Sequence, residues 1–325
     1  MKYLLKRCQH QEFGSMDASM KPQRGQYLLM AMKDEVLSFF PPLSQPQQND
    51  YRLIPIYPLY INSKVYCRFV YHNDKFHGSQ AAHPRNEYRL YLNREVQGGQ
   101  LKYFEGGITV FRMVDENDFE EGLFVDYVSQ QDGALYEKYN TLLHANELDG
   151  SGNYAVCVGE IKEFEDRVAN TGDQPKDVKF SDDDLKFVES NPADEAALFN
   201  AVSFRDFVMV GYEKKCAVTR TAIEYGPLLN LETAHIHPQA HGGNFHPCNG
   251  MMLCRDFHWA FDHGFFALSD DLEIIVSSKV RSDMLQPYHG KKIFIPKNPF
   301  FRPNLGNVRW HRQHVFEHFG QIRAM

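Results

Sequence analysis

Three blocks in the C-terminal half carry the reading of this chain: CAVT at Cys216–Thr219, LETAHIHP at Leu231–Pro238, and NGMMLCRDFHWAFDHG at Asn249–Gly264. The second block predicts a strand that ends at His235, followed by a loop through Gly242-Gly243. Asn249 opens the next strand, and Arg255 to Phe261 has a helical pattern. On that helix His258 and Asp262 stand at i and i+4, so both face one side within reach of a single ion. Glu232 and Asp256 are further oxygen donors nearby.

A strand, a loop, a strand and a helix so furnished hold the parts that phosphodiester hydrolysis needs. Water must lose a proton to a base, a cation must neutralise the phosphate and the leaving oxygen, and the base must be held in one tautomer. His235 suits the first task, because a neutral imidazole takes a proton near physiological pH. The Asn249 amide is able to fix that ring. His258 with Asp262 suits the second, since Mg²⁺ or Mn²⁺ favours oxygen ligands and tolerates a histidine. Zn²⁺ or Ni²⁺ would substitute in a crystal.

From Arg205 to about Phe316 the sequence resembles an HNH (ββα-metal) endonuclease domain. It is most similar to the restriction-endonuclease-like subgroup with CAVT, LExAHI, NGxxLCxDxHxxFDxG and a closing segment, here Pro303, Trp310-His311-Arg312 and Val315-Phe316. The resemblance implies metal-dependent cleavage of double-stranded DNA with His235, Asn249 and His258 as the H, N and H. Many such sites place an acidic metal ligand directly before the base histidine, but this chain has Ala234 there. The missing ligand is expected from Asp262 first and Glu232 second.

Simpler readings stand beside these. Asn249-Gly250 is also a common turn dipeptide, and Asp262 also reads as the end of a helix closed by Gly264. The six cysteines (8, 67, 157, 216, 248 and 254) include no CxxC pair, so Cys216 and Cys254 read as free thiols rather than half of a zinc site. Upstream, Glu160 and Lys162 of VCVGEIK, with Asp126 before them, form a weaker rival of the kind found in restriction-type nuclease cores.

Working outward, the 325 residues suit two domains. Short β-branched and aromatic runs from Asp50 to about Gln130, then Tyr154 to Gly159, predict a β-rich N-terminal domain over 1–165, preceded by a short helix within Tyr27 to Phe40. An acidic linker is expected over 166–195 and the HNH domain over 196–325, an α+β organisation in all. Apolar residues make up 43% and charged residues 24%, without an apolar run of membrane-spanning length or a secretory leader. A cytoplasmic location is therefore expected.

The net charge of −7 excludes a broadly basic DNA binder, so contact with DNA must come from a local patch. Lys214, Lys215, Arg220 and Arg255 are the candidates beside the site, with Lys279, Arg281, Lys291 and Lys292 further along. In the N-terminal half, Tyr57, Tyr60, Tyr66, Tyr71, Tyr88 and Tyr91 with Arg68, Arg85, Arg89 and Arg94 either read DNA or fill a sheet core.

The function expected is a restriction-type endonuclease acting on DNA, modified bases included. Its N-terminal domain would supply specificity, and the chain would act as a homodimer because one HNH site cuts one strand. The alternatives are a ligand- or partner-gated nuclease of phage defence and, given Ala234, a DNA-binding protein with a degenerate site.

Overall fold

In the computed structural model the chain divides into two compact units, Met1–Phe187 and Val188–Met325. The structure describes residues 1–13, 27–46, 49–73, 86–92, 95–96, 103–171, 177–179, 201–225 and 228–319. Among these no helix is long and apolar enough to cross a membrane.

The first unit is β-rich. Its strands are β1 (Lys2–Arg7), β2 (Tyr27–Met30), β3 (Tyr51–Pro58), β4 (Ser63–His72), β5 (Glu87–Tyr91), β6 (Ile108–Asp115), β7 (Asp118–Val128), β8 (Tyr154–Val158) and β9 (Asp177–Lys179). They form one sheet in the order β2-β5-β4-β3-β7-β6-β1-β8, with β9 against β4. Helices α1 (His10–Phe13), α2 (Asp34–Leu37), α3 (Ala134–Ala145) and α4 (Lys162–Asn170) complete it.

Alternation along each strand sorts side chains to two cores. Tyr3 and Leu5 of β1 pack with Val110, Tyr139, Leu143 and Phe164 on the side of α3 and α4. Leu4, between them, joins Ile54, Phe69, Phe111 and Val125 on the other. Three expectations change here. Tyr27–Met30 is a strand rather than a helix, because its alternating burial lets it pair with β5, and the helix behind it shrinks to α2. Part of the expected linker is ordered as α4 and β9, whereas 172–176 and 180–195 lie outside the described residues. Tyr66, Tyr71 and Tyr88 are core residues and cannot read DNA.

Of the remaining N-terminal candidates, Tyr91 lies beneath Arg68 at 4.6 Å, and Arg89 covers Tyr27 at 4.2 Å while bonding Glu87. Arg85 and Arg94 lie outside the described residues. The rival upstream site is not assembled. Asp126 is fully buried on Tyr139 and Arg167, whereas Glu160 and Lys162 face solvent, so no shared metal pocket forms.

The second unit begins its described part with α5 (Ala201–Gly211), followed by β10 (Glu224–Tyr225), β11 (Leu228–Leu229), β12 (Leu231–His235), β13 (Gly250–Cys254), α6 (Arg255–Asp262), β14 (Phe266–Leu268), β15 (Ile274–Val276) and α7 (Leu305–His314). β12 and β13 run antiparallel, with Leu231 opposite Cys254 and His235 opposite Gly250. Gly250 is obligatory, because a Cβ there would meet Val208 at 2.2 Å and Phe204 at 2.9 Å on α5. Gly264 closes α6 at φ +69°, where a Cβ would strike the Val315 carbonyl. α7 is latched by Arg309 and Arg312 to Asp270.

One buried ion pair ties the N-terminal strand of the first unit to its neighbours. Lys6 and Glu12 are both fully buried and 2.6 Å apart, and the Glu12 carboxylate also accepts from the backbone of Gln9 and Leu29. Removing one partner leaves a charge without compensation, which costs about 3–5 kcal/mol. Lys6→Met is expected to lower the unfolding free energy by that amount in urea titration, and the double variant Lys6→Met/Glu12→Met to recover part of the loss.

Candidate functional site

The hairpin β12–β13 and α6 bring together the residues that the sequence singles out. His235 ends β12, and its ring is fixed by aromatic neighbours. Phe204 of α5 stacks on it at 4.3 Å and 27°, and Phe245 meets it edge-on at 5.4 Å. Its Nε2 is buried without a hydrogen-bond partner. Burial holds the ring below the ordinary histidine pKa, opposed by the nearby Asp262 carboxylate and reinforced by His258. His235 is therefore a neutral imidazole near pH 7.

His258 is in the opposite condition. Its Nδ1 faces Glu232 at 2.9 Å and its Nε2 faces Asp262 at 3.2 Å. Burial pushes its pKa down, but hydrogen bonds and charge from Asp262 and then Glu232 outweigh this and raise it. Glu232 also meets Arg255 at 3.2 Å, so basic and acidic side chains alternate across the outer side of the hairpin and α6. Phe257, Ala260 and Phe261 bury the inner face of α6, which leaves His258 and Asp262 at its surface.

Beside the hairpin lies an open cleft of about 360 Å³. Phe204, Phe245, Leu229 and Leu231 form its apolar walls, and Thr233 and His235 lie along β12. Arg205 and Arg255 bring positive charge to its lining. Residues 216–269, which span the hairpin, α6 and β14, match the family model described as HNH endonuclease.

The C-terminal unit carries an HNH endonuclease domain.

No curated protein matches the chain. Among solved structures, the "Modification dependent TagI restriction endonuclease" is 22% identical with a TM-score of 0.31, over 39% of this chain and 41% of that one. This chain thus spans less than half of that structure. The "N-terminal domain of Helicobacter pylori LlaJI.R1" is 13% identical with a TM-score of 0.28, over 49% of this chain and 100% of that one. Likenesses of that size bear on neither substrate nor mechanism.

Within the HNH domain the site residues sort differently from their expected roles. The Asn249 amide does not hold the His235 ring. It accepts from the backbone N–H of His237 at 2.8 Å and donates to the carbonyls of His237 and Asn244, both at 2.9 Å. Asn249 thus ties the loop between the strands. The turn-like position is real, and the amide closes it. Glu232 and Asp262 occupy opposite nitrogens of His258, so they do not flank one point through that ring. Ala234 is fully buried in the apolar core opposite Met251, where a carboxylate would be desolvated.

The donor chemistry near α6 suits a hard divalent cation: an imidazole nitrogen with a carboxylate 3.2 Å away on a half-open surface. Among the described residues, however, no three His, Cys, Asp or Glu side chains converge on one position. Waters and phosphate oxygens would have to complete the shell.

The basic residues divide as well. Of the four expected beside the site, Arg255 alone lines the cleft. Arg220 is spent on Glu213 at 2.8 Å and on the Phe294 ring at 3.5 Å, so its role is structural. Lys214 and Lys215 lie in the turn after α5, with Lys215 exposed. Arg205 and Thr233 were missed. Thr233 was within reach, because it sits two residues before His235 on the same strand face, and Arg205 is the one basic residue of α5. Cys254 is hydrogen-bonded with Cys216 and Thr219, and burial pushes its thiol up to about 11.

His311 of the closing segment is buried and stacks on Phe261 at 3.7 Å and 2°, with Nε2–H donating to the Phe261 carbonyl. Burial lowers its pKa to about 4. In the window from 6.5 down to 4 the unfolded chain binds a proton that the folded one refuses, so stability falls as pH falls, by about 1.4 kcal/mol per pH unit from this residue. Urea unfolding followed between pH 7 and 4 should show that slope in the wild type and lose it in His311→Phe.

Proposed function

We propose that the chain is a metal-dependent DNA endonuclease of the restriction type, hydrolysing phosphodiester bonds at its HNH domain. One observation carries this reading. A neutral imidazole with a buried, unpartnered nitrogen and a second imidazole gripped by carboxylates meet around a single hairpin.

His235 is the general base, its imidazole taking the proton of the attacking water at the cleft that it lines. Phe204 and Phe245 aim the ring by contact rather than by a hydrogen bond. Asn249 keeps the following loop closed, which preserves the exit direction of β12. His258 and Asp262 are the residues that would hold the cation, and Glu232 orients His258 from the other nitrogen as an outer carboxylate partner. A divalent ion there, Mg²⁺ or Mn²⁺, would supply positive charge to the scissile phosphate and leaving oxygen. Arg205 and Arg255 contact flanking phosphates from the cleft.

Sequence or modified-base readout falls to the first unit, because HNH contacts are chiefly to the backbone. A double-strand break calls for two copies, and the biological setting is defence against phage DNA.

Nicking of a supercoiled plasmid by the purified chain with Mg²⁺ or Mn²⁺ tests the reading. His235→Ala is expected to slow it by about 10²–10⁴-fold, the usual contribution of a positioned base. At saturating metal the acid limb of the rate lies below pH 6.5, because the base stays unprotonated to a lower pH than an ordinary histidine. A wild-type protein that leaves the plasmid intact, or a His235→Ala variant of full activity, overturns the assignment.

A further inference from the structure

The matched HNH segment ends at residue 269, yet α7, beginning at Leu305, meets the loop that follows β12 through Trp310. Its indole at Trp310 is sandwiched between two imidazoles: His237 at 4.0 Å and 22°, and His314 at 4.6 Å and 17°. His241 flanks the same ring at 5.6 Å. His237 is the second residue past His235, and its backbone is the one that Asn249 grips. Its Nε2 bonds the His241 carbonyl at 2.9 Å, so the loop closes on itself beneath the indole.

The neighbouring residue anchors the other end. His311, about 100° further around the helix, lies flat on Phe261, one residue before Asp262. The start of α7 is fixed too, since Asn304 donates its backbone N–H to the carbonyl of Cys248, next to Asn249. Three anchors, at Asn304, Trp310 and His311, therefore span from the base's loop to the end of the helix bearing His258 and Asp262.

We propose that α7 is a positioning element of the nuclease site. Trp310 sets the direction in which β12 delivers His235, by stacking on His237, while His311 sets the height of the Asp262 end of α6. Both residues act through others and touch no substrate. The inference rests on His235 being the base. A displacement of about 1 Å in such a group costs up to 10²-fold in rate. Ground-state DNA binding, which depends on phosphate contacts elsewhere, does not change with it.

The test compares Trp310→Leu, which fills much of the volume without a π face, with Trp310→Phe, which keeps one, in the full-length chain. For Trp310→Leu, kcat for plasmid nicking is expected to fall at least tenfold with KM within twofold, and Trp310→Phe to recover to within threefold of wild type. Proton NMR gives a second readout. The ring protons of His237 and His314 are shifted upfield by the indole in the wild type and return toward ordinary positions in Trp310→Leu. Unchanged kcat alongside lost ring-current shifts overturns the proposal. So does equal loss of kcat in both variants, or a loss confined to KM. If the wild type does not nick, or His235→Ala nicks normally, the fault lies instead with the reading on which the proposal rests.

Discussion

The close approach of α5 to Gly250 is the constraint on which the C-terminal unit depends. The glycine stands opposite His235 in the β12–β13 register, and the absence of its side chain lets Phe204 and Val208 descend onto the hairpin. Phe204 then becomes a face for the imidazole, and desolvation by the same contact keeps that ring neutral. A larger residue at 250 would lift α5, uncover His235 and open the cleft, so packing and chemistry share one cause.

The two histidines of the site show how local environment separates identical side chains. His235 has aromatic neighbours and no bonding partner at Nε2, whereas His258 has a carboxylate at each nitrogen. One is thereby held toward its neutral form and the other drawn toward its protonated form. Opposite environments for like groups are a common route to divided roles in hydrolytic sites.

Reading the sequence was most effective where function required short spacing. The order of CAVT, LETAHIHP and NGMMLCRDFHWAFDHG located β12, β13 and α6, and the i, i+4 rule placed His258 beside Asp262. It was weaker where a role depends on a direction of hydrogen bonding, as at Asn249, whose amide serves a backbone and not a ring. Contacts between distant residues were out of reach: nothing local at Trp310 announces His237, and nothing at Phe204 announces His235. In the first unit, alternation revealed most strands but could not tell core tyrosines from surface ones, because both faces of the sheet are covered.

The paired thiols behind α6 bear on how the molecule meets oxidants and electrophiles. With Cys254 held near pKa 11, only about one molecule in ten thousand carries the thiolate at pH 7, and that ion is the form that attacks peroxides and alkylating reagents. Its neighbour Cys216 is wholly enclosed. A Cys254 thiol so held is a weak nucleophile, and the strand-to-helix junction that presents His258 is correspondingly slow to react with oxidants.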